Sequence, residues 1–143
     1  MDASVVYNLG NRVVNNYLVS LDDGGYVLID TGYAENYPAF MALSLPFEVI
    51  ETPGHTAVHI SMLKDGILFC GDAAMNGFPS IKRTIIWIED LEQYKRSWEK
   101  MIELNPTLVY PAHGKPFPTS DLKKYQPHLD IIRKNLSAND LPD

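Results

Sequence analysis

The sequence has a single cysteine, Cys70, so no disulfide can form within the chain, as suits a reducing compartment. It lacks any apolar run approaching the roughly 18–20 residues that a membrane-spanning helix needs. Its opening residues, Met1-Asp2-Ala3-Ser4, have neither the basic stretch nor the apolar stretch of a secretory leader. A cytoplasmic protein with no membrane partner is the expectation. Basic side chains are the minority, 12 against 18 acidic ones, and the net charge of −6 argues against broad electrostatic binding to nucleic acid. Internal repeats, low-complexity tracts, long linkers and Gly-rich phosphate loops are all missing. What is present is 143 residues, 45% of them hydrophobic, which suits one globular domain over residues 1–143.

The first third reads as β. Val5 to Tyr7, Val13 to Leu21 and Tyr26 to Ile29 are rich in β-branched and aromatic residues, and Asp22-Asp23-Gly24-Gly25 is a hairpin turn signal. Asn36 to Leu45 reads as a short helix with Pro38 in its first turn. Three further strands are expected at Phe47 to Glu51, Val58 to Leu63 and Ile67 to Cys70. Leu91, Tyr94, Trp98, Met101 and Ile102 share one helical face behind an Asp90 cap, with Pro106 beyond the helix end. Thr107 to Tyr110 is a short strand. A last helix is expected from about Ser120, carrying Leu122, Tyr125, Leu129, Ile132 and Leu136 inward, with Pro127 kinking it or delaying its start. Strands followed by interleaved helices predict an α/β sandwich with helices outside the sheets.

Three segments share one layout. Phe47 to His55 runs from an apolar strand through Pro53-Gly54 to a histidine. Ile67 to Asp72 runs from a strand through Gly71 to an aspartate. Leu108 to Gly114 runs from a strand through Pro111 to His113. If the strands are neighbours, His55, Asp72 and His113 converge at one rim, and two neutral imidazoles with a carboxylate suit zinc, iron or manganese. His59 reads as a hydrogen-bonded structural histidine and His128 as solvent-exposed. Cys70 reads as a buried, inert thiol. Ser97-Trp98-Glu99-Lys100 matches a Ser-x-x-Lys pattern by chance, in mid-helix. Lys82 and Arg83 form a small basic cluster able to neutralise an anionic substrate, within a loop from Met75 to Trp87 that is a candidate for substrate contacts.

Leu28-Ile29-Asp30-Thr31-Gly32, Thr52-Pro53-Gly54-His55-Thr56, Leu68-Phe69-Cys70-Gly71-Asp72 and Pro111-Ala112-His113-Gly114 together resemble the metallo-β-lactamase superfamily of metal-dependent hydrolases and related oxidoreductases. The resemblance implies an αββα sandwich with the metal site at one edge of its two sheets. It implies that His55 binds one metal, Asp72 bridges two and acts in catalysis, and His113 binds the second, with Asp30 behind a metal-binding histidine. Zinc is the first expectation, with iron or manganese as alternatives.

One family element has no counterpart. The resemblance calls for a His-x-His-x-Asp-His segment before the Pro-Gly-His motif, yet Tyr33 to Glu51 contains no histidine. That implies a fold shortened by an internal deletion, with an incomplete metal site and a sheet edge that a homodimer would cover. The implied parental activity is attack of metal-activated water on a small-molecule ester, thioester, lactone or phosphoester. A non-catalytic structural or interaction module is the competing reading.

Overall fold

The computed structural model describes residues 5–8, 17–24, 26–29, 47–80 and 82–135. The first sheet is an antiparallel meander of β1 (Val6–Asn8), β2 (Tyr17–Ser20) and β3 (Tyr26–Ile29), in that order. Its β2–β3 turn places Gly24 at φ 84, with the Gly24 N–H donating to the Leu21 carbonyl at 3.1 Å. Glycine adopts that positive φ without a Cβ penalty, which is the physical basis of the Asp-Asp-Gly-Gly turn signal.

The second sheet orders its strands β4 (Glu48–Glu51), β5 (Ile60–Lys64), β6 (Ile67–Gly71) and β7 (Leu108–Pro111). β4–β5 and β5–β6 are antiparallel, whereas β6–β7 is parallel. Parallel neighbours need a crossover, and α1 (Leu91–Leu104) lies within it. Two successive antiparallel pairings leave β4 parallel to β6. The C-terminal ends of β4, β6 and β7 therefore share one rim, where β5 begins.

β5 starts at Ile60 rather than at the expected Val58. Val58 is exposed, and the Thr52 N–H donates to the His59 carbonyl at 2.9 Å, so the preceding residues close a loop instead of extending the hairpin.

Alternation along the strands of the second sheet divides their side chains between two cores. Val49, Met62, Phe69 and Tyr110 pack with Tyr17 and Val19 of the first sheet. Ile50, Leu63, Leu68, Cys70 and Val109 pack with Tyr94, Trp98 and Met101 of α1. Sheet on sheet follows, with helices on the outer face of the second sheet. The aromatic contacts Tyr17–Phe69 and Tyr17–Tyr110, 5.5 and 5.2 Å between ring centroids, tie the sheets together. The Tyr17 hydroxyl also donates to the Pro111 carbonyl across the same interface. Tyr17→Phe keeps the rings in place and is expected to cost about 1 kcal/mol in urea unfolding, with an unchanged far-UV spectrum.

α1 begins where the sequence places it, because the Asp90 side chain accepts from the Gln93 N–H at 3.0 Å. It stops at Asn105, which is left-handed, just before Pro106. The expected last helix is instead two: α2 (Thr119–Tyr125) and α3 (His128–Asn135). Pro127 lies between them and supplies no N–H to bridge the two turns, so it divides the helix rather than bending it. The expected helix at Asn36 to Leu45 and residue Asp30 lie outside the described residues.

Candidate metal centre

The first element of the rim is the turn that follows β4. Ser97 Oγ donates to the Pro53 carbonyl at 2.6 Å, and the Asp90 N–H donates to the Gly54 carbonyl at 2.9 Å. Gly54, at φ 135, lies so close to α1 that an added Cβ would stand 2.5 Å from Tyr94 N. The absent side chain thus lets the turn rest on helix backbone and fixes where His55 emerges.

Asp72 follows Gly71 at the end of β6, where the Ala73 N–H donates to the Cys70 carbonyl at 2.9 Å. Trp98 Nε1 donates to the Ala73 carbonyl at 2.9 Å and fastens this turn to α1. His113 follows β7, and the Ala112 N–H donates to the Gly71 carbonyl at 3.0 Å, joining the two strand ends. Asn76 then straps the His113 turn. Its N–H donates to the His113 carbonyl at 2.9 Å, its Nδ2 donates to the Lys115 carbonyl at 2.8 Å, and its own carbonyl accepts from the Lys115 N–H at 3.2 Å.

These turns bring the three side chains together around one carboxylate. His55 Nε2 lies 3.4 Å from Asp72 Oδ2, and His113 Nε2 lies 3.1 Å from Asp72 Oδ1. Although His113 is near, Oδ1 is buried and accepts no hydrogen bond. His55 Nδ1 is 2.7 Å from the Trp87 carbonyl, which can only accept, so Nδ1 carries the hydrogen. In the neutral ring this leaves the Nε2 lone pair facing a carboxylate oxygen, an arrangement that calls for a proton or a cation between them.

The titration behaviour has the same origin. The Asp72 hydrogen bond raises the His55 pKa above its ordinary value, with burial opposing. Burial acts to raise the Asp72 pKa, yet the hydrogen bond and charge of His55, with the charges of His113 and His59, hold it below the usual carboxylate value.

The donor chemistry fits part of a metal's coordination sphere. Two imidazole nitrogens and a two-sided carboxylate are ligands that zinc, iron and manganese accept, and the orphaned Oδ1 is a buried oxygen needing a positive partner. The set is not closed, however. Among the described residues no group of three or more His, Cys, Asp or Glu side chains is gathered tightly enough to hold an ion by itself.

His59 is hydrogen-bonded, as the sequence suggested, and its partners are informative. Its Nε2 accepts from the Asp72 backbone N–H at 3.0 Å, so Nδ1 bears the hydrogen and donates to Thr52 Oγ1 at 2.9 Å. Thr52 Oγ1 lies 2.8 Å from Ser61 Oγ. Burial lowers the His59 pKa to about 4. Sequence reasoning gave Thr52 and Ser61 no role, because their proximity depends on the β4–β5 register, which pairs Ile50 with Ser61.

Arg83 donates from Nε and Nη2 to Asp121 Oδ2 at 3.0 and 2.8 Å, with its guanidinium over the Phe117 and Tyr125 rings. Lys82 Nζ lies 3.3 Å from His128 Nδ1, so His128 is partly covered rather than solvent-exposed. Both basic residues thereby join their loop to the C-terminal helices. Cys70 is buried and burial raises its thiol pKa, as an inert thiol requires. Ser97 is engaged by Pro53, and Lys100 Nζ donates to the Glu51 carbonyl at 2.7 Å, which leaves the Ser-x-x-Lys pattern without a nucleophile.

The sequence model of the metallo-beta-lactamase superfamily matches residues 39–113, more than half of the chain. A hydroxyacylglutathione hydrolase from Tolumonas auensis is 42% identical over 76 residues, 52% of this chain and 28% of the relative. A beta-lactamase-like protein 2 homolog from Drosophila melanogaster is 34% identical over 67 residues, 46% of this chain and 21% of the relative. The matched stretches thus cover only 21% to 28% of these relatives' lengths. In three dimensions the chain resembles the crystal structure of ETHE1 from Myxococcus xanthus with a TM-score of 0.65, at 18% identity over 96% of this chain and 92% of that one. The two-sheet sandwich with its rim of strand-end motifs is accordingly the metallo-β-lactamase fold, and the chain belongs to the metallo-β-lactamase superfamily.

Proposed function

We propose that the chain carries part of the active site of a metal-dependent hydrolase, in which His55, Asp72 and His113 are ligands and water attacks an ester, thioester, lactone or phosphoester. The observation that carries this reading is Asp72 Oδ1, buried without a hydrogen bond while the other oxygen of the same carboxylate faces His55 Nε2. A bound zinc, iron or manganese ion would supply Lewis acidity and lower the pKa of a water nucleophile. Asp72 offers one oxygen toward each histidine, so its carboxylate would be available to an ion held beside either imidazole. The Trp87 carbonyl holds the His55 ring in the tautomer that leaves Nε2 available for a metal. Asp30 is assigned the same orienting task for a metal-binding histidine.

Relatives named hydroxyacylglutathione hydrolase support the acyl end of the substrate range. Trp87 and Ile86 are largely exposed beside His55, and Phe78 projects from the same loop, so an apolar part of a small substrate would lie there. Lys82 and Arg83 are the cations assigned to an anionic substrate group, with Arg83 held by Asp121 and Lys82 beside His128. The absence of a closed three-donor group among the described residues favours a second reading, a non-catalytic module of the same fold.

Metal analysis on protein of verified 16.1 kDa mass separates the two. Zinc, iron or manganese at near-stoichiometric level, lost in His55→Ala and in His113→Ala, is the expected result, with esterase or thioesterase turnover following metal content. Folded protein of that mass with no metal, and none taken up on dialysis against zinc, would leave the module reading. A dimer that holds metal only when associated would show that a second copy completes the site.

A further inference from the structure

We infer that His59 is a positioning residue for Asp72, acting through a buried relay that runs from Ser61 through Thr52 to the imidazole and ends on the Asp72 backbone N–H. The inference rests on the reading of Asp72 as a metal ligand. His59 directly precedes β5 and Asp72 directly follows β6, so the two meet across the open end of the β5–β6 hairpin, where His59 Nε2 reaches the Asp72 N–H at 3.0 Å. That N–H lies past the end of β6, where the strand ladder supplies no partner. A neutral imidazole has one acceptor nitrogen, and it serves here only if the hydrogen sits on Nδ1.

The Asp72 N–H, which can only donate, fixes that choice, and Thr52 receives the Nδ1 hydrogen. The Thr52 Oγ1 is 2.9 Å from His59 Nδ1, from which it accepts, and 2.8 Å from Ser61 Oγ, with which it shares a hydroxyl–hydroxyl hydrogen bond. Thr52 and Ser61 are both buried, Ser61 within β5 and Thr52 directly after the end of β4, so the acceptor stands where the β4–β5 ladder ends. The rings of His55 and His59 are 6.2 Å apart and nearly perpendicular. His55 therefore approaches the Asp72 side chain while His59 holds its main chain, and the carboxylate is placed from two directions. A metal carboxylate whose backbone is held this way keeps its orientation when the ion leaves.

Three variants of the whole chain test this. His59→Leu removes the acceptor at similar volume, His59→Gln can present a carbonyl oxygen close to where Nε2 stood, and Thr52→Val removes the group that receives the Nδ1 hydrogen without touching the histidine. Zinc affinity is read by competition with a chromophoric chelator, and protection of the Asp72 amide by hydrogen exchange in NMR. His59→Leu should weaken zinc binding by about 10- to 100-fold. His59→Gln should recover most of it, and Asp72 amide protection should fall in Leu and Val but persist in Gln.

Wild-type zinc affinity in a folded His59→Leu, or equal loss in the Gln variant with the Asp72 amide still protected, would overturn the positioning role. Should His59→Leu not fold, Thr52→Val and His59→Gln give the same comparison. If the wild type binds no zinc, the proposed function fails on its own account. The Asp72 amide protection then decides the positioning role alone, upheld by loss in Leu with retention in Gln, and overturned by no change.

Discussion

Gly54→Ala is expected to abolish the native fold, or to leave it destabilised by about 4 kcal/mol or more, and Gly114→Ala to do nearly the same. Both figures combine two costs. At φ 135 and φ 91 an L-residue is strained whatever the space around it, by about 1–3 kcal/mol. The new methyl groups also meet backbone rather than flexible side chains. At Gly54 the methyl overlaps Tyr94 in α1, and at Gly114 it overlaps the Asn76 carbonyl that straps the His113 turn.

Relief would need the His55 turn to lift from α1, breaking the contacts of Pro53 with Ser97 and of Gly54 with Asp90. Gly24→Ala is the internal control. Gly24 also has a positive φ, 84, but nothing stands within 4 Å of its added Cβ, so only the conformational cost of about 1–2 kcal/mol applies. Urea unfolding of the three variants checks the argument. A Gly54→Ala protein as stable as Gly24→Ala would mean that the turn is not pressed onto the helix.

The same contrast explains how much of the site was legible in the sequence. Each strand, its breaker and its polar residue are adjacent along the chain, so His55, Asp72 and His113 could be picked out from local pattern alone. Their common rim could not. It follows from β5 lying between β4 and β6 and from β7 joining β6 in parallel, which are pairings between distant residues. The partner that orients His55 is a backbone carbonyl, that of Trp87, and a backbone atom leaves no trace in residue identity.

The helix over Leu91–Leu104 was legible because the Asp90 cap, the apolar face and Pro106 beyond the end all point one way. At Pro127 the local signal was correct in kind, but it marked a break between two helices rather than a bend in one. Charge alone marks Arg83 as a candidate substrate contact, and Asp121 and the two aromatic rings around it come together only in the tertiary structure.

Metal-free protein is expected to lose stability as pH falls from neutrality toward 4, with His59 as the main cause. Burial lowers the His59 pKa from 6.5 to about 4, so between those values the unfolded chain binds a proton that the folded chain refuses. Stability rises with pH wherever the unfolded state holds more protons, so the contribution is complete above 6.5 and lost on the way down. At about 1.4 kcal/mol per pH unit, the window is worth about 3 kcal/mol, an upper bound because the residue keeps some exposure.

Two neighbours act differently. His55 has a raised pKa, so its stabilisation is gained as pH falls through that raised value, is complete below 6.5 and stays constant across the window. Asp72 has a lowered pKa, and its contribution disappears only below the ordinary carboxylate value of 3.8, outside the window. Urea unfolding in chelator at pH 7, 5.5 and 4.5 should therefore show declining stability in the wild type. The decline should be markedly shallower in His59→Gln, which has no proton to take up at that position. Parallel slopes for the two proteins would assign the acid sensitivity to another group. A proton on Nε2 would take the acceptor away from the Asp72 N–H, so the residue that makes the fold acid-sensitive is also the one that holds the carboxylate in place.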